Sequence, residues 1–257
     1  MSVLSYLQRR ASDAVLSSDE TTSIATSIST LQTRLDAWFG TDLTEHFKFG
    51  SQTRGTILPR KMDEHSDIDY MIVFKEGSYK PQTYLDRLRR FVDNYYSSSS
   101  IKQSSPTIVL ELNHIKFDLV PALKGYWTGS YQIPNGPQAW QDTNPNDFNG
   151  TLTAKNNSEL YMMKPTIRLA KFWNAKNSYV YDSYGFEKWI VEQSYYGINN
   201  QRDYLFRVID NLVLPTDTQW NKDRVQRAKD IVKQVRSYES SDMPASAEAE
   251  VKKLIPE

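Results

Sequence analysis

Asp67 and Asp69 stand two residues apart in Ser66-Asp67-Ile68-Asp69-Tyr70, directly ahead of Met71-Ile72-Val73-Phe74. The stretch from Ile68 to Phe74 is almost entirely apolar and β-prone, and it reads as a buried strand. Strand side chains alternate with a period of two, so both carboxylates point to one face, their Cα atoms roughly 6–7 Å apart. Two like charges side by side at the head of an apolar strand are costly unless a cation lies between them. Oxygen ligands of this kind suit Mg2+, which takes one or two carboxylates together with substrate phosphates. A third acid, Asp118, is embedded in the otherwise mostly apolar strand Ile115-Lys116-Phe117-Asp118-Leu119-Val120. If the two strands are neighbours, three carboxylates can hold two Mg2+ or Mn2+ ions about 3.5–4 Å apart. One ion would lower the pKa of an attacking hydroxyl, and the other would hold a triphosphate and stabilise the leaving pyrophosphate.

The run Phe49-Gly50-Ser51-Gln52-Thr53-Arg54-Gly55-Thr56 precedes these acids. Gly50 lets the backbone approach a phosphate closely. Ser51 offers a hydroxyl, and the amides from Gln52 onward open a helix start that favours anions. Gly50, Ser51 and Gln52 are therefore candidate nucleotide contacts. A Gly-Ser pair alone is a turn, an Asp-x-Asp alone is a solvated strand start, and a lone Asp is a hairpin edge residue. Their order, each flanked by strand patterning, is what points to phosphate-and-metal chemistry. His46, His65 and His114 are too few and too scattered for a zinc site and read as surface or turn residues. With no cysteine, the chain has no disulfide, thiolate site or cysteine nucleophile.

The elements that must position these residues follow from periodicity. Ser17-Ser18-Asp19-Glu20 fits a capping box for a helix with Ile24, Ile28, Leu31, Leu35 and Trp38 at helical spacing, stopped by Gly40. That stripe reads as core. His46 to Phe49 is a short strand ending at Gly50, and Tyr84 to Tyr96 is a helix broken by Ser97 to Ser100. Thr107–Leu112 and Ile115–Val120 read as strands around an Asn113-His114 hairpin turn, with Pro121 ending the second. Residues 125–158, rich in Gly, Pro, Asn, Asp and Trp, read as a long ordered connection and lobe boundary. Helical patterns then dominate at about 159–176, 183–197, 201–212 and 220–238, with a short amphipathic end after Ser240. No internal repeat is present. Strands first and helices afterwards predict an α+β fold, with a catalytic lobe with an N-terminal helix over 1–157 and a helical lobe over 158–257.

Composition is that of an ordinary globular protein: 257 residues, 39% hydrophobic and 24% charged. The 31 Lys and Arg balance the 31 Asp and Glu, which argues against a protein coating long nucleic acid and gives no strong sign of direct DNA binding. Sixteen Tyr, ten Phe and six Trp leave room for stacking surfaces as well as core. The N-terminal run does not read as a signal peptide, and no stretch nears the ~18 apolar residues of a membrane span. The expectation is a soluble, cytoplasmic protein with no membrane partner.

With these residues in place, a resemblance can be stated. GSQTRGT at 50–56, SDIDYMIVF at 66–74 and IKFDLVPAL at 115–123 resemble the DNA polymerase β-like nucleotidyltransferase superfamily. Within it the chain looks most like the bacterial CD-NTases, relatives of cyclic GMP–AMP synthase and oligoadenylate synthetase. Tyr131 to Gly136, Trp140, Thr143-Asn144-Pro145, Met163-Lys164, Leu169 to Trp173 and Ser183 to Glu187 extend the likeness, which covers about residues 45–195.

The resemblance implies a small mixed sheet with helices, followed by a helical lobe. It implies two Mg2+ or Mn2+ ions on Asp67, Asp69 and Asp118, and Ser51 on the triphosphate. Lys171 would reach the β- and γ-phosphates, Ser183 would touch phosphate, and Tyr184 would stack on the donor base. By spacing alone, Lys164, Arg168 and Lys171 share a helix face that reads as solvated, Ser183 is a good N-cap and Tyr184 could be core.

The implied function is synthesis of cyclic or short linear oligonucleotide second messengers from nucleoside triphosphates, ATP among them. The setting would be antiphage signalling of the CBASS type, with an effector or regulatory partner in a defence operon. A transferase acting on RNA 3′ ends or on a protein, and an inactive nucleotide-binding module, are the competing readings. The chain lacks any Cys/His zinc insertion like that of the animal DNA sensor. Its Ile255-Pro256-Glu257 end does not resemble a tail for ubiquitin-like conjugation.

Overall fold

A computed structural model describes residues 2–75, 77–104, 106–214 and 218–257. In chain order its elements are α1 (Val3–Asp13), α2 (Ser18–Phe39), β1 (Leu43–Phe49), α3 (Gly50–Arg54), β2 (Asp67–Phe74), α4 (Pro81–Tyr95), β3 (Ser100–Ser104), β4 (Thr107–Glu111) and β5 (Lys116–Lys124). A hairpin of β6 (Tyr131–Asn135) and β7 (Ala139–Thr143) follows. The remainder is helical: α5 (Asp147–Ser158), α6 (Met163–Lys176), α7 (Ser183–Glu192), α8 (Gln201–Asn211), α9 (Gln219–Ser240) and α10 (Pro244–Leu254).

The chain divides into two units. The sheet unit comprises Ser17–Arg60 and Glu64–Gly150. Its sheet runs β1-β2-β5-β4-β3, with β6 paired to β5 and β7 to β6. Among the described residues β2 and β5 pair in parallel and the other pairings are antiparallel, so the sheet is mixed as expected. Alternation sorts β2 into two faces. Ile68, Tyr70, Ile72 and Phe74 are buried on one, where α2 and α4 contribute Leu31, Leu35, Phe39, Leu88 and Phe91. Phe39 and Phe74 meet edge to face at 5.3 Å. Asp67 and Asp69 begin the other face, which continues into Met71 and Val73, clustered with Ala122, Phe47 and Phe49. The capping box of α2 is present: Ser17 Oγ accepts from Glu20 N at 3.2 Å, and Glu20 Oε2 accepts from Ser17 N at 2.8 Å.

The helical unit comprises Met1–Leu16, Lys61–Asp63 and Thr151–Glu257. The first sixteen residues therefore group with the C-terminal helices, not with the sheet as the 1–157 boundary would have it. The cause is the stripe Val3, Tyr6, Leu7, Ala11 and Ala14, buried against α6, α8 and α10. The hydroxyl of Tyr6 donates to the Ile255 carbonyl at 2.6 Å and ties the two chain ends together.

Other expectations also change. Pro121 does not end its strand. β4 pairs with β5 only as far as Leu119 and β6 takes over at Leu123, so Pro121 stands in a gap where one side of β5 needs no donor. Residues 125–158 are not one connection but contain β6, β7 and α5, and β3 was not read at all. His46 is not a surface residue: its ring lies between Tyr70 Oη (2.8 Å) and Asp36 Oδ1 (3.0 Å). His65 is exposed, and His114 sits in the expected hairpin turn against Ser27 Oγ. Among the described residues no helix is long and apolar enough to cross a membrane.

Candidate active site

Strand β1 delivers the chain to Gly50. Phe49 pairs with Asp69 across β1 and β2, so the next residue is set against the Asp69 side chain. Gly50 has φ +72°, and a Cβ built there would lie 1.8 Å from Asp69 Oδ2. Glycine is demanded twice, by the left-handed backbone and by the carboxylate that fills the place of a side chain. The turn is then locked from within. Thr53 Oγ1 donates to the Gly50 carbonyl at 2.8 Å, and the amides of Thr56 and Ile57 donate to the Ser51 carbonyl at 2.9 and 3.2 Å. Gly55, at φ +71°, ends α3. Arg54 is buried with its guanidinium 6.0 Å from the Phe148 ring centroid. The Gln52 Oε1 is buried and accepts no hydrogen bond among the described residues.

The parallel register of β2 and β5 assembles the acids. Asp69 pairs with Asp118, and Asp67 with Lys116. Residues at i and i+2 share a face, so Asp67, Asp69, Asp118 and Lys116 all stand on one side of the sheet. Lys116 Nζ lies 3.1 Å from Asp67 Oδ2 and 3.7 Å from Asp118 Oδ1. Burial, and then the Asp67 charge, push the Asp118 carboxyl up to about 6, with Lys116 opposing. Burial alone would lower the Lys116 pKa, but Asp67 and Asp118 outweigh it and the net direction is up.

The donor set is three carboxylates, hard oxygen ligands suited to Mg2+ or Mn2+. Asp118 Oδ1 is buried without a hydrogen bond, an acceptor placed where a cation would complete it. The side chains thus fit a divalent ion in kind. They are not drawn in around one point: among the described residues no three His, Cys, Asp or Glu groups close on a single position. Carboxylates this close repel one another, and the Lys116 ammonium stands among them.

Lys171, Ser183 and Tyr184 lie in the helical unit, on α6 and α7. The α6 face is not solvated as its spacing suggests. Lys171 is buried and its Nζ is 2.8 Å from Oε1 of the fully buried Glu187. Burial also lowers the Arg168 pKa from its ordinary value. The N-cap of α7 is Asp182, whose Oδ2 accepts from Gly185 N at 2.6 Å, so Ser183 is the first helical residue. Ser183 is exposed and Tyr184 is 39% exposed, with Lys188 Nζ 5.5 Å from its ring, which excludes the core reading. The structure therefore gathers Gly50, Ser51, Gln52 and the three acids in the sheet unit, and Lys171, Ser183 and Tyr184 in the helical unit. The sequence reading passed over two residues. Lys116 carried a signal, since it shares the face of Asp118 two positions away. Glu187 carried none, because its partner is sixteen residues distant.

Residues 1–156 match the family model of the Second Messenger Oligonucleotide or Dinucleotide Synthetase domain. A probable cyclic nucleotide synthase of Bacillus cereus (strain VD146) is 28% identical over 182 residues, 56% of this chain and 54% of the relative. The chain thus spans about half the length of the curated relative it matches. Among solved structures the fold is similar to E. coli MS115-1 CdnC in a CdnC:HORMA-deltaN complex, with TM-score 0.73, 17% identity and coverage of 98% of this chain and 96% of that one. It is also similar to the Bradyrhizobium diazoefficiens CD-NTase CdnG in complex with GTP, with TM-score 0.71, 12% identity and 97% of each chain covered. The expected α+β, polymerase β-like architecture is what these likenesses show.

Proposed function

We propose, from the premise that this chain belongs to the Second Messenger Oligonucleotide or Dinucleotide Synthetase family, that it joins nucleoside triphosphates into a cyclic or short linear oligonucleotide second messenger. The observation that carries this reading is the β2–β5 register, which sets Asp69 beside Asp118, with the Asp69 carboxylate against the bare backbone of Gly50. An acceptor ribose hydroxyl attacks the α-phosphate of a donor triphosphate, the new phosphodiester forms, and pyrophosphate leaves. No protein nucleophile is needed; positioning and charge suffice.

Each residue has a part in this. Asp67, Asp69 and Asp118 would hold Mg2+ or Mn2+ ions, which when bound supply positive charge to the triphosphate and acidify the acceptor hydroxyl. Gly50 leaves room for a phosphate against the backbone, and the Ser51 hydroxyl donates to it. Gln52 brings a buried, unpaired amide oxygen to the same turn. Lys171 and Ser183 contact phosphate and Tyr184 stacks on the donor base, as in the family this chain resembles. For Lys171 that role requires sharing or breaking its ion pair with Glu187. Tyr184 already offers an exposed ring.

The setting we infer is antiphage signalling in the cytoplasm, under a protein partner. One structural neighbour is a complex with a HORMA protein, which supports looking for such a partner here. The test is product analysis with α-labelled nucleoside triphosphates and Mg2+ or Mn2+, followed by phosphatase, chromatography and mass spectrometry. A phosphatase-resistant oligonucleotide made by the chain but not by Asp67→Asn/Asp69→Asn is the expected result. Label transferred only to added RNA or protein would overturn it.

A further inference from the structure

We propose that Lys116 is a built-in counter-cation that holds the acidic site together before metal arrives and has to be displaced for a divalent ion to bind. The inference rests on the reading of Asp67, Asp69 and Asp118 as metal ligands and adds a residue which that reading does not use. Lys116 is placed by topology. It shares the face of Asp118 on β5 and stands directly opposite Asp67 in the parallel register. Its ammonium bridges acids on two strands, 3.1 Å from Asp67 Oδ2 and 3.7 Å from Asp118 Oδ1. All three side chains are mostly buried, at 22%, 29% and 21% exposure. At that depth the like charges of the acids are poorly screened, and one positive charge between them offsets much of their repulsion.

The same geometry sets a competition. An ion held by Asp67 and Asp118 would take the oxygens that Lys116 now faces, and an ammonium a few ångströms from a dication is repelled. Lysine suits a removable plug: it is a point charge on a flexible four-carbon stem, able to swing out without moving the strand. Arginine, with a planar fork that grips carboxylates in pairs, would be a tighter plug. Metal affinity therefore includes breaking the Lys116 contacts, and the lysine tunes how readily the resting enzyme is loaded.

The experiment is Mn2+ titration of the full chain by calorimetry and by electron paramagnetic resonance, at pH 8 and without nucleotide. Wild type, Lys116→Gln, Lys116→Met, Lys116→Arg and Asp67→Asn/Asp69→Asn would be compared. Lys116→Gln and Lys116→Met should bind Mn2+ about two- to fivefold more tightly, the range expected for loss of one ion pair that competes with the metal. They should also melt earlier than wild type in EDTA and recover with Mn2+, which shows that they fold. Lys116→Arg should bind no more tightly than wild type. If wild type binds Mn2+ through the acids but both neutral variants bind equally or more weakly, the plug is refuted and the metal-site reading survives. If wild type and Asp67→Asn/Asp69→Asn bind Mn2+ alike, the metal-site reading falls, and the plug with it.

Discussion

Gly50→Ala is the sharpest test of how the site is built. The added methyl would stand 1.8 Å from Asp69 Oδ2 and 2.7 Å from its carboxyl carbon, about half a normal contact distance. Neither side can give easily, because Asp69 lies on a central strand paired to Phe49 and Asp118. The backbone would also keep φ near +72°, which costs a residue with a Cβ about 1–2 kcal/mol. Strain and displacement together should lower stability by about 2–3 kcal/mol. At roughly 2–4 °C per kcal/mol for a chain of this size, the melting point should fall by about 4–12 °C. Relieving the clash requires the carboxylate or the turn to move by more than 1 Å, and a misplacement of that size can reduce a rate by about 10²-fold.

Gly136→Ala is the matched control. Its φ is +76°, but nothing lies within 4 Å of an added Cβ, so it should lose about 1–2 kcal/mol and keep its rate. Urea unfolding of both variants, with product formation at matched folded fractions, separates the two effects. Gly50→Ala with wild-type rate, or with a stability loss no greater than that of Gly136→Ala, would refute the argument that the carboxylate occupies the side-chain position.

Three further outcomes follow from the geometry. Asp67→Asn/Asp69→Asn should lose the metal-dependent rise in melting temperature that a nucleoside triphosphate gives wild type; an unchanged rise by thermal shift would move the ligands elsewhere. Asp118 has its folded-state carboxyl raised from the ordinary 3.8 to about 6, so between those values the native protein holds a proton that the unfolded chain does not. In EDTA, wild type should therefore gain stability relative to Asp118→Asn as pH falls from 7 to 5, while Mn2+ affinity declines over the same range; parallel urea midpoints for the two proteins would contradict this. Glu187→Gln takes a charged partner from the buried Lys171 ammonium and should cost up to about 3–5 kcal/mol, whereas Lys171→Met/Glu187→Leu should recover most of that stability but not the activity.

The chemistry was more legible in the sequence than its surroundings. An acid inside an apolar strand breaks the hydrophobic pattern, so Asp67, Asp69 and Asp118 stood out before any fold was known, and strand alternation placed the first two on one face. The edge strands were illegible because they bury little. β3 is exposed at four of its five positions and β7 at three of five, so neither shows the apolar alternation that marks a strand. In α5 the buried residues Phe148, Leu152 and Asn156 are spaced by four, but the third is polar and Gly, Asn and Thr fill the gaps. The α1 stripe was present in Val3, Tyr6, Leu7 and Ala11, yet nothing local says that it packs on the far end of the chain. His46 and Lys171 fail for the same reason, since their partners Tyr70, Asp36 and Glu187 are close only in the folded state.

The same alternation explains why the site and the core are inseparable in this sheet. On β2 the residues Asp67 and Asp69 share a face with Met71 and Val73, and on β5 Lys116 and Asp118 share one with Ala122. The apolar ends of these two rows pack with Phe47 and Phe49, which hold β1 in register and thereby fix Gly50 against Asp69. A slip of β5 by one residue would turn Asp118 to the opposite face, toward the aromatic layer of Tyr70 and Phe74, and would expose Phe117 in its place. The hydrophobic half of each strand is therefore what specifies where its charged half stands. That register is set by burial across the whole strand and not by the acids, whose mutual repulsion opposes it. On the metal-site reading proposed above, a charge-neutralising group among them, Lys116 or a divalent ion, would then serve the fold as much as the reaction.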